Sequence, residues 1–235
     1  MNYELTNRYF KKVDETVNWK AAIIMIAVGV LLFALLISRV AILGIIGLLL
    51  AIGGVLMIVL KKNKIAKEKA SIPSDSQYDG EVAKQLRGLK ERALNALGLD
   101  EDEVKEIAPI SFDNYVYAKA KNAKKGEDNL WRTDKYEYVI LFFSEHEVHC
   151  YSYNFSTLFD QKTESTDVYF YRDIVSVSTT SEQANLLGQS VDYQAFKLTT
   201  AGGTNLSVSL KDISNAQRSI NAMRSLLKAK KQQQA

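Results

Sequence analysis

Forty consecutive residues, Ala21 to Leu60, carry no acidic side chain and one basic side chain, Arg39. Burying such a run demands a membrane. One span takes about 20 apolar residues to cross a hydrocarbon core of about 30 Å, so forty suit two helices better than one. The run divides at its only polar pair, Ser38-Arg39, which predicts spans at residues 21–37 and 40–60. So short a link makes a tight antiparallel transmembrane hairpin, with Arg39 snorkelling to the headgroups at its tip. A signal peptide is a poorer reading, because its apolar core runs only about 7 to 15 residues.

The second span carries Ala41, Gly44, Gly47, Ala51 and Gly54 at steps of three and four. That spacing puts them on one helix face, where another backbone can approach closely. The packing partner is either the first span or a second copy of the protein, which would make a homo-oligomer through the spans.

Basic residues cluster outside the run: Arg8, Lys11, Lys12 and Lys20 precede it, and Lys61, Lys62, Lys64, Lys67 and Lys69 follow. The positive-inside rule then puts both termini in the cytoplasm, as a multi-pass protein of the cytoplasmic (inner) membrane. Residues 1–74 hold 10 basic and 4 acidic side chains and residues 75–235 hold 20 and 23. The part outside the membrane is therefore slightly acidic, which argues against nucleic acid as a partner. The single cysteine, Cys150, excludes an intrachain disulfide and a cysteine-rich zinc site.

Along the chain, residues 1–20 place Leu5, Tyr9, Val13 and Val17 on one helical face, predicting an interfacial helix that enters the first span with Trp19 at the headgroups. Residues 61–79 read as a basic juxtamembrane linker ending in the Ser/Pro/Asp-rich SIPSDSQYD. Residues 80–109 read as a helical connector: one helix to Leu97 stopped by Gly98, then a short one from the N-cap candidate Asp100 through Ile107. From residue 110 the apolar period becomes two. Strands are expected around Phe112 to Tyr117, Tyr136 to Phe143, Glu147 to Tyr153, Val168 to Tyr171, Ile174 to Ser178, Phe196 to Thr199 and Asn205 to Leu210. The helical period returns over Asp212 to Lys230, and residues 232–235 form a polar tail.

Six or seven antiparallel strands and a closing helix give an α+β chain with the element order of a pleckstrin-homology-like barrel or sandwich. The stretch YFYRDIVSVS, Tyr169 to Ser178, resembles a mid-domain strand pattern of bacterial members of that superfold. With LGLDEDEVKEIAPI and WRTDKYEYVILFFSEHEVHCYSY it resembles a group of uncharacterised bacterial membrane proteins with a pleckstrin-homology-like cytoplasmic domain, over roughly residues 85–230. The resemblance implies a fold for residues 110–231 and brings no activity with it.

Residues suited to catalysis are sparse. His146, Glu147, His149 and Cys150 are metal-ligand types, but alternation along a strand turns Cys150 away from Glu147 and His149 and a fourth ligand is missing. Gly202-Gly203 lacks the lysine and the strand-to-helix setting of a phosphate loop. No enzyme, metal or cofactor is expected. Lys119, Lys121, Lys124 and Lys125, between the first two long strands, are candidate contacts for anionic lipid headgroups, opposed by Glu127, Asp128 and Asp134 in the same stretch. The expectation is a membrane-anchored binding module that recruits a protein partner, with lipid sensing as the alternative. Of the aromatic trio Tyr169, Phe170 and Tyr171, two are expected to be packing residues and one to be available at a sheet edge.

Overall fold

The computed structural model describes all residues except 18, 37–40, 119, 204, 234 and 235. The chain divides into two units, Lys11–Pro73, and Met1–Phe10 with Ser74–Ala235.

In the first of these, α2 (Trp19–Leu36) and α3 (Ala41–Ala70) pack along one another. The expected tip, Ser38-Arg39, lies outside the described residues. Helix α3 runs ten residues past the apolar stretch, so the lysine run is helical rather than a linker. It is long and apolar enough to cross a membrane, whereas α2, whose 18 residues span about 27 Å, falls short of that length. Residues 11–17 are not helical: Asp14 accepts from the Thr16 N–H at 3.0 Å and from its hydroxyl at 2.6 Å, a local turn that competes with a helix. The interfacial helix expected to carry Val13 and Val17 is therefore not formed.

The other unit begins with α1 (Tyr3–Tyr9), capped by the Asn2 side chain on the Leu5 N–H. Helix α4 (Asp75–Leu86) starts inside the stretch expected to be linker, because Ser74 and Gln77 form a reciprocal capping box. Helix α5 (Leu89–Leu97) is separated from it by Gly88, whose φ of +70° breaks the single helix expected from residue 80 to 97. The second expected helix is only a 3-10 turn at Glu101–Glu103. There the Glu106 N–H bonds the Phe143 carbonyl at 3.3 Å, tying the acidic run to the sheet instead of extending a helix.

Among the described residues nine strands follow: β1 (Ile110–Tyr115), β2 (Ala123–Lys125), β3 (Trp131–Thr133), β4 (Lys135–Phe143), β5 (Glu147–Ser156), β6 (Lys162–Phe170), β7 (Ile174–Leu186), β8 (Gln189–Thr200) and β9 (Asn205–Ser209). They form an antiparallel sheet β1-β4-β5-β6, a small hairpin β2-β3, and a second antiparallel sheet β7-β8-β9. The β7-β8 hairpin is far longer than the apolar runs suggested. Its Leu187-Gly188 turn has φ of +52° and +84°, the pattern of a two-residue type I′ connection. Helix α6 (Ile213–Gln233) closes the chain.

Both faces of the four-stranded sheet are covered. Its inner face sets Val139, Leu141, Phe143, Val148 and Tyr169 against Phe196, Leu198 and Val208 of the second sheet and Ile220 and Met223 of α6. Its outer face sets Ile140, Phe142, Tyr151, Tyr153 and Phe155 against Tyr9, Tyr78, Val82, Leu89 and Ala93. Helices α4 and α5 are thus a layer of this unit and not a connector, and residues 1–10 belong to it too.

Candidate binding surface

The lysine-bearing stretch is folded and not a loop: it contains the β2-β3 hairpin, held by Arg132 of β3. The Arg132 side chain is 4% exposed and pairs with Asp79 at 2.7 Å, Asp128 at 2.8 Å and Asp75 at 3.8 Å. Asp75 also accepts from the Tyr9 hydroxyl at 2.7 Å and the Glu127 N–H at 2.8 Å, and Asp79 from the Tyr115 hydroxyl at 2.6 Å. One guanidinium therefore joins α4 and the hairpin, with α1 and β1 attached through tyrosine hydroxyls. The hydrogen bond from Arg132 holds the Asp128 carboxyl down at about 2. Burial, then the bond to Asp75, pushes the Tyr9 phenol well above its usual range.

Against this frame the four lysines fare differently. Lys119 lies outside the described residues. Lys124 is half-buried with its ammonium 4.0 Å from the centre of the Tyr9 ring, a cation–π contact that occupies it within the fold. Lys121 and Lys125 are exposed. Around them stand five carboxylates, Asp75, Asp79, Glu127, Asp128 and Asp134, against the four described cations Lys121, Lys124, Lys125 and Arg132. The surface here is close to neutral, and Asp134 is engaged by the backbone N–H groups of Lys121 and Asn122 at 3.3 and 3.2 Å.

The aromatic trio is divided by the change of sheet after β6. Tyr169 is buried in the inner core, and Tyr171 is buried with its hydroxyl on the Ser144 carbonyl at 2.7 Å. Phe170 is 44% exposed, with the Arg172 guanidinium 5.3 Å from its ring. Among the described residues no group of three His, Cys, Asp or Glu is placed to hold a metal ion. His149 meets the Ser144 hydroxyl at 3.2 Å, and burial of Cys150 in the inner core pushes its thiol up to about 12, leaving it protonated and unreactive at neutral pH.

Of the small-residue face, Gly47 and Gly54 meet α2 backbone to backbone. A Cβ at Gly47 would lie 2.6 Å from the Phe33 nitrogen and 2.7 Å from the Gly29 carbonyl, and one at Gly54 would lie 3.0 Å from the Ala22 carbonyl. Gly44 is buried, Ala51 stands opposite Gly29, and Ala41 begins α3. The sequence reading missed Gly29, the α2 half of this seam: a Cβ there would lie 2.5 Å from both the Ala51 nitrogen and the Gly47 carbonyl. It also missed Arg132, Tyr9 and Tyr78. Ser74-x-x-Gln77 was the available signal for the helix that carries Tyr78; nothing in the sequence distinguishes Arg132 from any other loop cation.

No protein-family model matches this chain, and no curated protein matches it.

Proposed function

We propose that this protein is a non-enzymatic binding module anchored in the cytoplasmic membrane by an α2–α3 transmembrane hairpin, with both termini in the cytoplasm and a pleckstrin-homology-like domain that recruits a protein partner. The observation that carries the anchoring is the composition of the larger unit: Met1–Phe10 fold together with Ser74–Ala235. The chain therefore departs from that unit at residue 11 and returns to it at residue 74, and a segment that crosses a membrane and comes back to the same unit crosses an even number of times. Two close-packed apolar helices satisfy that count; one does not. The flanking lysines favour the cytoplasmic side.

The pleckstrin-homology-like reading is supported by a four-stranded antiparallel sheet, β1-β4-β5-β6, then the three-stranded sheet β7-β8-β9, then a helix over the inner core. Recruitment of protein is favoured over anionic lipid by the near-neutral hairpin surface and the occupation of Lys124 by Tyr9.

Topology is tested with single cysteines in a Cys150→Ala background. Glu4→Cys and Lys64→Cys are expected to react with a membrane-impermeant maleimide from the same side, in inverted vesicles only. Labelling from opposite sides would overturn the hairpin. Recruitment is tested by crosslinking the full chain in its native membrane against the chain lacking residues 75–235. A partner lost with those residues supports the reading; no such partner, together with salt-sensitive binding of the full chain to phosphatidylserine vesicles, would replace it with lipid sensing.

A further inference from the structure

We propose that the free edge of β6 pairs with β6 of a second copy of this chain, antiparallel about a two-fold axis at Thr166. The proposal does not depend on the recruitment reading, since it concerns the chain with itself.

Each of the two larger sheets has two edges, and three of the four are covered at least in part. Strands β1 and β9 lie alongside each other, and Glu137 of β4 accepts the Ser209 N–H of β9 at 2.7 Å. The first residues of the β7 edge are capped by α6: Lys231 donates to the Ile174 carbonyl at 2.6 Å and Arg224 to the Val177 carbonyl at 2.9 Å. Strand β6 pairs with β5 alone, and among the described residues no other strand or side chain satisfies its outer edge. Every one of its nine residues except Tyr169 is exposed.

Which backbone groups are free follows from the ladder. The Ser156 N–H bonds the Gln161 carbonyl at 2.9 Å and the Tyr171 N–H bonds the His146 carbonyl at 3.2 Å, one at each end of the β5-β6 pair. Hydrogen-bonded pairs alternate along an antiparallel ladder, so Thr163, Ser165, Asp167 and Tyr169 point their backbone groups at β5. Lys162, Glu164, Thr166, Val168 and Phe170 point theirs outward. Proteins usually protect such an edge with proline, a bulge, central lysines or brevity. β6 has no proline, keeps regular register throughout, and carries its one lysine at its first position; its two carboxylates, Glu164 and Asp167, are the charges a partner strand must accommodate.

The sequence of β6 selects its own copy and a single register. Two-fold antiparallel pairing that joins the outward groups over at least five residues can be centred on any residue from Glu164 to Val168; centring on Ser165 or Asp167 pairs only seven of the nine, and Asp167 would also face its own copy. Centring on Glu164 sets two carboxylates directly opposite each other, and centring on Val168 pairs only five residues of the strand. Centring on Thr166 pairs all nine and opposes no like charges: Glu164 faces Val168, Ser165 faces Asp167, and Lys162 faces the exposed Phe170 ring. The contact is isologous and closes as a dimer, with one sheet continuous through eight strands.

The test uses the full-length chain in nanodiscs. Unaltered protein is expected to be dimeric by light scattering. In a Cys150→Ala background, Thr166→Cys is expected to oxidise to a covalent dimer, since hydrogen-bonded partners stand about 5.5 Å apart and disulfides bridge about 4.4 to 6.8 Å. Lys162→Cys is expected to stay monomeric on denaturing gels, its two copies being about 27 Å apart along the strands. Val168→Glu, opposite Glu164 of the other copy, is expected to weaken the dimer at least several-fold, and Val168→Lys to leave it intact; both side chains sit on an exposed face and spare the fold. A monomeric unaltered chain, equal crosslinking at residues 162 and 166, or indifference to Val168→Glu would each overturn the proposal; a monomer that a partner's extended segment protects at β6 would assign the edge to that partner.

Discussion

The two faces of the four-stranded sheet are packed by different chemistry. The inner face is aliphatic and phenylalanine-rich, drawn wholly from Ile107 onward. The outer face is tyrosine-rich, and its cover comes from three places: α1, α4 and α5. Its hydroxyls reach out of the layer to acids and backbone: Tyr9 to Asp75, Tyr115 to Asp79, Tyr136 to Asp113, Tyr151 to Glu164, and Tyr78 to the Thr133 carbonyl. A phenol buries its ring like a phenylalanine but needs a partner for its oxygen, so an assembly of phenols is fixed in register where aliphatic packing leaves it open. The inner core holds the sheets together; the outer core decides what else may join them.

This contrast predicts unequal losses. Phe143→Ala, in the inner core at 0% exposure, is expected to cost about 3–5 kcal/mol, read from the urea midpoint of the near-UV signal of the full chain. Arg132→Met should cost about 2–3 kcal/mol, because it strands Asp75, Asp79 and Asp128 around a site that has lost its cation; their partial exposure keeps the loss below that of a fully buried group. The same change should abolish the acid sensitivity that Asp128 confers. Its folded carboxyl titrates near 2, below its unfolded value of about 3.9, so its contribution is present above pH 4 and lost as pH falls through 2. An Arg132→Met chain as acid-sensitive as the parent would contradict that assignment. Tyr9→Phe removes one hydroxyl from Asp75, which keeps the Glu127 N–H, and is expected to cost only about 1 kcal/mol while leaving the Tyr9–Tyr78 stack at 4.2 Å in place.

The inner core was far more legible in the sequence than the outer one. Val139, Leu141 and Phe143 alternate on one strand, and Ile220, Met223 and Leu227 recur on one helix, so periodicity announces them. The outer core is not periodic in sequence: Tyr9 stands 69 residues before Tyr78, with an apolar run of forty between them. Local pattern cannot relate such residues, and of the expected face only Leu5 and Tyr9 lie on a helix, α1; the Asp14–Thr16 turn keeps it from reaching Val13 and Val17. The long β7-β8 hairpin was hidden for another reason. Residues 179–194 are rich in Thr, Ser, Gln and Asn, so neither face of the hairpin shows an apolar stripe. At the small-residue seam, steps of three and four named Gly47 and Gly54 but not Gly29, which has no such series around it in α2.

The smallest expected effect lies where the two sheets meet. Glu137 sits on the inner face of β4 yet carries a carboxylate, accepting from the Ser209 N–H, and its burial raises its pKa above the usual range. A raised carboxyl binds its proton more tightly in the folded state than in the unfolded one, so its contribution is favourable below the unfolded value of about 4.3 and is lost as pH rises through the folded value. At neutral pH the charge is therefore a cost that the Ser209 hydrogen bond offsets. Glu137→Gln keeps an acceptor oxygen for the Ser209 N–H and removes the charge, so stability at pH 7 should change by less than about 1 kcal/mol, and upward. Glu137→Ala leaves the Ser209 N–H without its carboxylate acceptor and should cost about 1–3 kcal/mol. The pair separates a joint held by charge from one held by a hydrogen bond: if Gln proves as costly as Ala in urea unfolding at pH 7, the carboxylate itself closes the β1–β9 corner, and the inner face is less purely apolar than its neighbours suggest.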